Sequence, residues 1–241
     1  MNKIILIIQA RMGSTRLPGK IMLPFGDSAI LDYSVSRCRK VERLADVLVA
    51  TSTLPADDAV EAWCKKRRVT CFRGSQDDVL SRYYDCARQL HPDYVIRVTS
   101  DCPFIDFNAI DAIIDIVDRN PCDIVVYDKE PARGLWSEIV SYSALEYMYL
   151  HGNESRHREH VTFYAYEHPK KFKQEVYKMP ELLSHPELRI TLDTPEDYNM
   201  LKEIAKALPD MYVSSTDVVR YLLDHPEISA LNGHIKQKPV T

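Results

Sequence analysis

The first apolar run, Ile4-Ile5-Leu6-Ile7-Ile8, shows no polar alternation. It therefore reads as a strand covered on both faces. The period then switches between helix and strand. Ile30, Leu31, Ser34, Val35, Cys38 and Val41 recur at helical spacing, with Asp27 or Ser28 as N-cap. Residues 47–51 read as a second buried strand, 57–67 as a helix and 69–72 as a short strand. Val79, Leu80, Tyr83, Ala87 and Leu90 mark a helix capped near Ser75 or Asp77. A strand at 94–98 precedes a helix marked by Ile110, Ile113, Ile114 and Val117 and capped by Asp106; residues 124–127 make a fifth strand. Strands alternating with helices predict right-handed crossovers and an α/β three-layer sandwich around a mostly parallel, Rossmann-like sheet. Ligands bind beyond the carboxyl ends of such strands. The loops after Ile8, Val49, Phe72 and Val98 are thus expected to share one face.

The rhythm changes after Lys129. Residues 131–136 read as a loop, 137–141 as a short strand, 144–150 and 160–167 as helices, and 172–177 and 188–192 as strands. Thr194 caps a helix that Pro195 opens, with Glu196 and Asp197 in its first turn. A last helix covers 215–223, and the polar stretch 232–241 is expected to fray.

Composition narrows the class. A chain of 241 residues, 45% of them apolar, fits one α/β domain or one with a small appendage. A net charge of −4 argues against a dedicated nucleic-acid binder. The six cysteines include no C-x-x-C pair, so buried reduced thiols are the expectation. No apolar stretch is long enough to span a bilayer, and no leader pattern precedes Arg11. The reading is a cytoplasmic protein without membrane insertion or nucleic-acid partner.

Chemistry enters with the loop after the first strand. It carries Arg11, Ser14, Thr15, Arg16 and Lys20, with Gly13 and Gly19 to let the backbone bend. Cations, hydroxyls and backbone N–H groups at a strand's carboxyl end suit a polyphosphate; a solvated basic loop is the plain alternative. The loop is no Walker A motif: five residues separate its glycines and Ile21 follows Lys20. Two aspartates stand at other strand ends, Asp101 in Ser100-Asp101-Cys102-Pro103-Phe104 and Asp193 in Leu192-Asp193-Thr194-Pro195-Glu196-Asp197. A turn explains the first and a helix start the second. Together they could hold Mg²⁺ between a triphosphate and an incoming oxygen.

The loop resembles the signature R-x-x-S-x-R-L-P-G-K of the nucleotidyltransferases that activate acidic sugars with CTP. Arg11, Ser14, Arg16, Leu17, Pro18, Gly19 and Lys20 match it. The form QARMGSTRLPGK resembles the SpsF-like spore-coat polysaccharide branch, and also the acylneuraminate and octulosonate (Kdo-type) cytidylyltransferases. The likeness runs from Ile4 to about Leu201. It implies a fold of the nucleotide-diphospho-sugar transferase type, with Asp101 and Asp193 holding Mg²⁺. With CTP as substrate, Arg11, Arg16 and Lys20 are expected to grip the β and γ phosphates, with Ser14 and the backbone at Gly13 completing the cradle. The stretch 72–82 resembles the family's second nucleotide segment and makes Ser75 and Arg82 nucleotide candidates, with the Ala10 backbone and Asp101 beside them; Thr51 and Ser52 are weaker candidates. Glu138, Arg158 and His160 are the sugar-side candidates.

The expected activity is transfer of CMP from CTP to an acidic sugar, releasing pyrophosphate, in a homodimer. Residues 1–205 would form the nucleotidyltransferase domain, 130–185 its sugar-binding and dimerisation segment, and 206–241 a C-terminal helix and tail. The chain departs from the octulosonate enzymes at Ser100 and Cys102, which flank the first aspartate where those enzymes tend to carry glycine and an acidic residue. Another NTP, a glycosyltransferase on the same sheet, and a non-catalytic nucleotide-binding subunit stand as alternatives; Asp101-Cys102-Pro103 lacks the D-x-D of many glycosyltransferases. His151, His157, His160 and His168 form no H-E-x-x-H. Tyr142, Tyr147, Tyr149, Phe163, Tyr164 and Tyr166 read as core or subunit interface.

Overall fold

A computed structural model of the protein describes residues 2–237. Its strands are β1 Ile4–Gln9, β2 Pro24–Phe25, β3 Ser28–Ala29, β4 Asp46–Ser52, β5 Thr70–Gly74, β6 Tyr94–Thr99, β7 Ile124–Tyr127, β8 Glu138–Ser141 and β9 Gln174–Tyr177. Its α-helices are α1 Ile30–Cys38, α2 Asp58–Arg67, α3 Val79–Arg88, α4 Phe107–Arg119, α5 Tyr142–His151, α6 Ser155–Glu159, α7 Phe163–Glu167, α8 Pro195–Ala207, α9 Ser215–Asp224 and α10 Pro226–Ser229. Seven strands form one sheet in the order β5-β4-β1-β6-β8-β7-β9.

The opening strand shows why three layers form. Ile4, Leu6 and Ile8 pack into one core with Leu31 of α1, Val60 of α2 and Ile110 and Ile113 of α4. Ile5 and Ile7 pack into the opposite core with Leu80 and Tyr83 of α3 and Leu145 and Met148 of α5. Side chains alternate across a strand, so an unbroken apolar run feeds both layers. A third core joins the β2–β3 hairpin, the extended segment 188–192, α8 and α9.

β4, β1 and β6 run parallel, as do β4 and β5, so the four loops named above do emerge on one face. The fifth expected strand, β7, is not β6's neighbour. β8 is inserted between them, antiparallel to both. Residues 188–192 are extended but pair only through a bridge between Arg133 and Arg189, so Asp193 does not end a strand of the sheet.

The caps also differ in part. Ala29, not Asp27 or Ser28, caps α1, its N–H donating to Asp32 at 3.1 Å, because the helix starts only at Ile30, directly after β3. Asp78, not Ser75 or Asp77, caps α3 by accepting from Ser81 N–H at 2.8 Å. The helix expected over 160–167 starts late: α6 ends at Glu159, residues 160–162 turn with Val161 at φ +38°, and α7 begins only at Phe163. Asn232 is not frayed; it is buried, and its amide donates to the Arg189 carbonyl and to Asp197, each at 2.8 Å. Residues 238–241 of that expected tail lie outside the described residues.

Candidate active site

The loop leaving β1 folds on itself before it can bind anything. Met12 carbonyl accepts from Ser14 N–H at 2.9 Å and from Gly19 N–H at 3.1 Å. Gly19 sits at φ +68°, a left-handed conformation that costs glycine nothing, and hands the chain into a short 3-10 turn at Lys20–Met22. Ser14 Oγ accepts from Leu17 N–H at 3.3 Å, so this hydroxyl shapes the loop. Met12 N–H donates to Asp57 at 2.6 Å, tying the loop to the neighbouring β4–α2 connection.

Lys20 is buried and its ammonium is the meeting point. It lies 2.6 Å from Asp101 Oδ2, 2.9 Å from Asp193 Oδ1 and 2.6 Å from the Leu192 carbonyl. Asp101 follows β6 directly. Asp193 is brought to it because Leu192 N–H donates to the Asp101 carbonyl at 2.9 Å and Thr191 Oγ1 to the same oxygen at 3.3 Å. Thr194 then caps α8 and Pro195 starts it, as the sequence indicated.

Asp193 is the most heavily held group. Arg16 stands 3.0 Å from its Oδ1, and Arg189 donates to its Oδ2 at 2.6 Å. Burial pushes this carboxyl up, but Lys20, Arg16 and Arg189 outweigh burial and hold it down at about 2. Burial likewise works against the Lys20 charge, and the two carboxylates reverse it, so its pKa ends above the usual value. Cys102 is buried and its thiol is pushed up to about 12, so it stays neutral beside Asp101.

A cleft of about 480 Å³ opens over this cluster. Ala10, Arg11, Gly13, Ser14, Arg16, Lys20, Arg82, Asp101, Glu138, His160 and Asp193 line it, as anticipated. Ser75 and Arg158 do not. Ser75 Oγ accepts from Asp78 N–H at 3.0 Å in the turn before α3. Arg158 pairs with Asp78 at 3.4 Å and covers the Tyr149 ring, so it fastens α6 to neighbouring elements. Thr51 and Ser52 are buried outside the cleft; Ser52 N–H donates to Asp57 at 3.1 Å.

Glu138 is in the cleft wall but its carboxylate is already engaged. It accepts from Thr162 at 2.6 Å and Tyr166 at 2.9 Å and pairs with Arg97. Thr162 makes this contact from the turn between α6 and α7, where Val161 sits at φ +38°. His160 is half-buried, and burial together with the Arg97 charge keeps its imidazole toward the neutral form. Arg97, Arg133, Gly134, Trp136 and Ser137 also line the cleft and were missed. An arginine inside the apolar strand YVIRVT was the signal for Arg97, because such a charge needs a buried partner.

The site suits a divalent cation as a pair, not as a cage. Asp101 and Asp193 converge on the Lys20 ammonium at the cleft, and the described residues hold no group of three or more His, Cys, Asp or Glu able to bind a metal. Two carboxylates, with phosphate and water completing the shell, match magnesium's habit. The four histidines do not cluster: His157 is held by Glu167 at 2.6 Å and His151 by the Tyr147 carbonyl at 2.8 Å.

Comparison with known proteins is consistent along the whole chain. A family model described as Cytidylyltransferase matches residues 5–227. The spore coat polysaccharide biosynthesis protein SpsF of Bacillus subtilis is 35% identical over 235 residues, covering 94% of this chain and 97% of that one. A solved cytidylyltransferase from Leptospira borgpetersenii superimposes with TM-score 0.89 at 34% identity, covering 99% of this chain and all of the other. The 3-deoxy-manno-octulosonate cytidylyltransferase of Escherichia coli is 24% identical over 181 residues, 69% of this chain and 73% of that one. Among the described residues no helix is long and apolar enough to cross a membrane.

Proposed function

The chain belongs to the cytidylyltransferase family, and from that premise we propose that it transfers CMP from CTP to an acidic sugar of the nonulosonic or octulosonic type. The observation that carries the reading is the meeting of Lys20, Asp101 and Asp193 at one end of the basic loop. A sugar hydroxyl oxygen forms a bond to the α-phosphorus while the bond to the bridging β-phosphate oxygen breaks. Pyrophosphate leaves, and the hydroxyl proton passes to solvent. Arg11, Arg16 and Lys20 take up the charge on the β and γ phosphates and on the leaving group. Ser14, Ala10 and the backbone at Gly13 fix the triphosphate and base, and Arg82 adds a cation at the nucleotide end. Mg²⁺ held by Asp101 and Asp193 would neutralise charge at the α-phosphate and acidify the attacking hydroxyl.

The name of the Bacillus subtilis relative supports a role in surface or spore-coat polysaccharide synthesis; a homodimer working in the cytoplasm completes the proposal. Pyrophosphate release tests the reading, assayed with each of four NTPs and a panel of nonulosonic and octulosonic acids. The reading requires release from CTP alone, dependent on both a sugar acid and Mg²⁺. Release from a different NTP, or CTP binding without any turnover, rejects it in favour of another nucleotidyltransferase or a binding subunit.

A further inference from the structure

Six cations line the cleft, and their partners sort them. Lys20 and Arg16 are engaged by the catalytic aspartates, and Arg97 by Glu138. Arg11, Arg82 and Arg133 carry no ion pair among the described residues. Arg11 and Arg82 are close enough to repel each other, at the end where β1 and α3 meet. Arg133 instead feels the charges of Arg189, Glu130 and Asp193.

The backbone holds Arg133 there. Its N–H donates to the Leu188 carbonyl at 3.0 Å, and its own carbonyl accepts from Ile190 N–H at 2.8 Å. Both bonds tie it to the segment that ends in Asp193. Gly134 follows at φ +92°, so close that an added Cβ would stand 2.2 Å from the Ile190 carbonyl oxygen. A few residues on, Ser137 is buried in the same wall, and its hydroxyl has no hydrogen-bond partner.

Sugar-acid chemistry says what belongs beside Asp193. In a 2-keto-3-deoxy sugar acid the carboxylate is bonded directly to the carbon bearing the attacking hydroxyl. Its counter-cation must therefore lie next to the reacting centre. Arg158 is engaged elsewhere, and His160 is held toward its neutral form. Building on the cytidylyltransferase reading, we infer that Arg133 binds the carboxylate of the sugar acid and that Ser137 Oγ hydrogen-bonds a hydroxyl of the same sugar. A guanidinium meets a carboxylate through two parallel N–H bonds, so the subsite selects acids over neutral sugars.

Equilibrium binding to the full-length protein tests this without turnover. The probes are 3-deoxy-manno-octulosonate, N-acetylneuraminate, the methyl ester of each, and CTP. At least one acid should bind the wild type about tenfold more tightly than its ester. Arg133→Met should erase that preference while CTP binding stays within about twofold, which also shows that the variant is folded. Ser137→Ala should weaken the acid by about threefold and keep the preference. The inference is overturned if the wild type binds acid and ester alike, if it binds neither acid, or if Arg133→Met keeps the preference. A loss of about tenfold in CTP binding by Arg133→Met would also overturn it, because the cation would then belong to the triphosphate. Failure of the wild type to bind CTP strikes the cytidylyltransferase reading instead, and the acid–ester comparison still decides the subsite.

Discussion

Asp57 accepts the Met12 backbone N–H at 2.6 Å across 45 residues of chain. The same carboxylate accepts Ser52 N–H at 3.1 Å and the Ser52 hydroxyl, and it is buried. One side chain thus fixes the start of the basic loop to the end of β4. Asp57→Asn places an amide donor against one of these N–H groups and loosens the loop. Leaving a buried donor unsatisfied costs about 1–3 kcal/mol. We expect the KM for CTP to rise about tenfold with a smaller change in kcat. Steady-state kinetics with CTP varied checks this; an unchanged KM removes Asp57 from loop positioning.

Gly134 permits the approach of the Arg133 loop to the segment 188–192. Gly134→Ala combines a strained φ of +92° with a 2.2 Å contact to the Ile190 carbonyl oxygen. Strain of this kind costs about 1–3 kcal/mol before the contact is relieved. At about 2–4 °C per kcal/mol for a chain of this size, Tm should fall by at least about 2 °C. Differential scanning calorimetry checks it. Turnover should fall as well, since Arg133 and Asp193 share that junction.

Arg189 binds Asp193 and Asp197 at once, donating to Asp197 Oδ1 at 2.8 Å and to Asp193 Oδ2 at 2.6 Å. Asp197 is fully buried, so Arg189→Met leaves its charge without its cation. Breaking a buried pair from one side costs about 3–5 kcal/mol. Urea denaturation should show a loss of that size. The double variant Arg189→Met/Asp197→Leu should recover part of it, and no recovery would assign the loss to packing.

Acid sensitivity follows from Asp193. Its carboxyl is held near 2 in the folded chain against an ordinary 3.8. A depressed carboxyl pKa adds stability that is present above the ordinary value and is lost as pH falls through the folded one. The contribution is about 2 kcal/mol. Metal-free protein should therefore lose stability between about pH 4 and pH 2, and Asp193→Asn should flatten that part of the curve. Urea midpoints measured across that range check it.

The chain told most where short-range physics decides. The unbroken Ile4–Ile8 run and the Thr194–Pro195 helix start need only neighbouring residues, and both formed as read. The sheet's inner order was hidden, because Glu138–Ser141 has no feature that sets strand direction; its antiparallel insertion depends on β6 and β7. The segment 188–192 has a strand's composition, yet its partners are Arg133 and the turn at Asp101. The stretch from His160 to Glu167 keeps a helical period, but Val161 in a left-handed conformation delays the helix to Phe163. Arg158 stood as a sugar-side candidate, and only the fold shows that Asp78 engages it. Arg133 stood in an irregular loop and Ser137 at the first position of the short strand read over 137–141, where no period marks which side chains face a cleft.

The central claim is that the basic loop and the two aspartates, Asp101 and Asp193, act on one nucleotide. A crystal structure with CTP and Mg²⁺ tests it most directly. The account predicts a metal about 2.1 Å from a carboxylate oxygen of each aspartate, with the triphosphate against Arg11, Arg16 and Lys20. A triphosphate bound away from Lys20, or a metal that touches neither Asp101 nor Asp193, would contradict it.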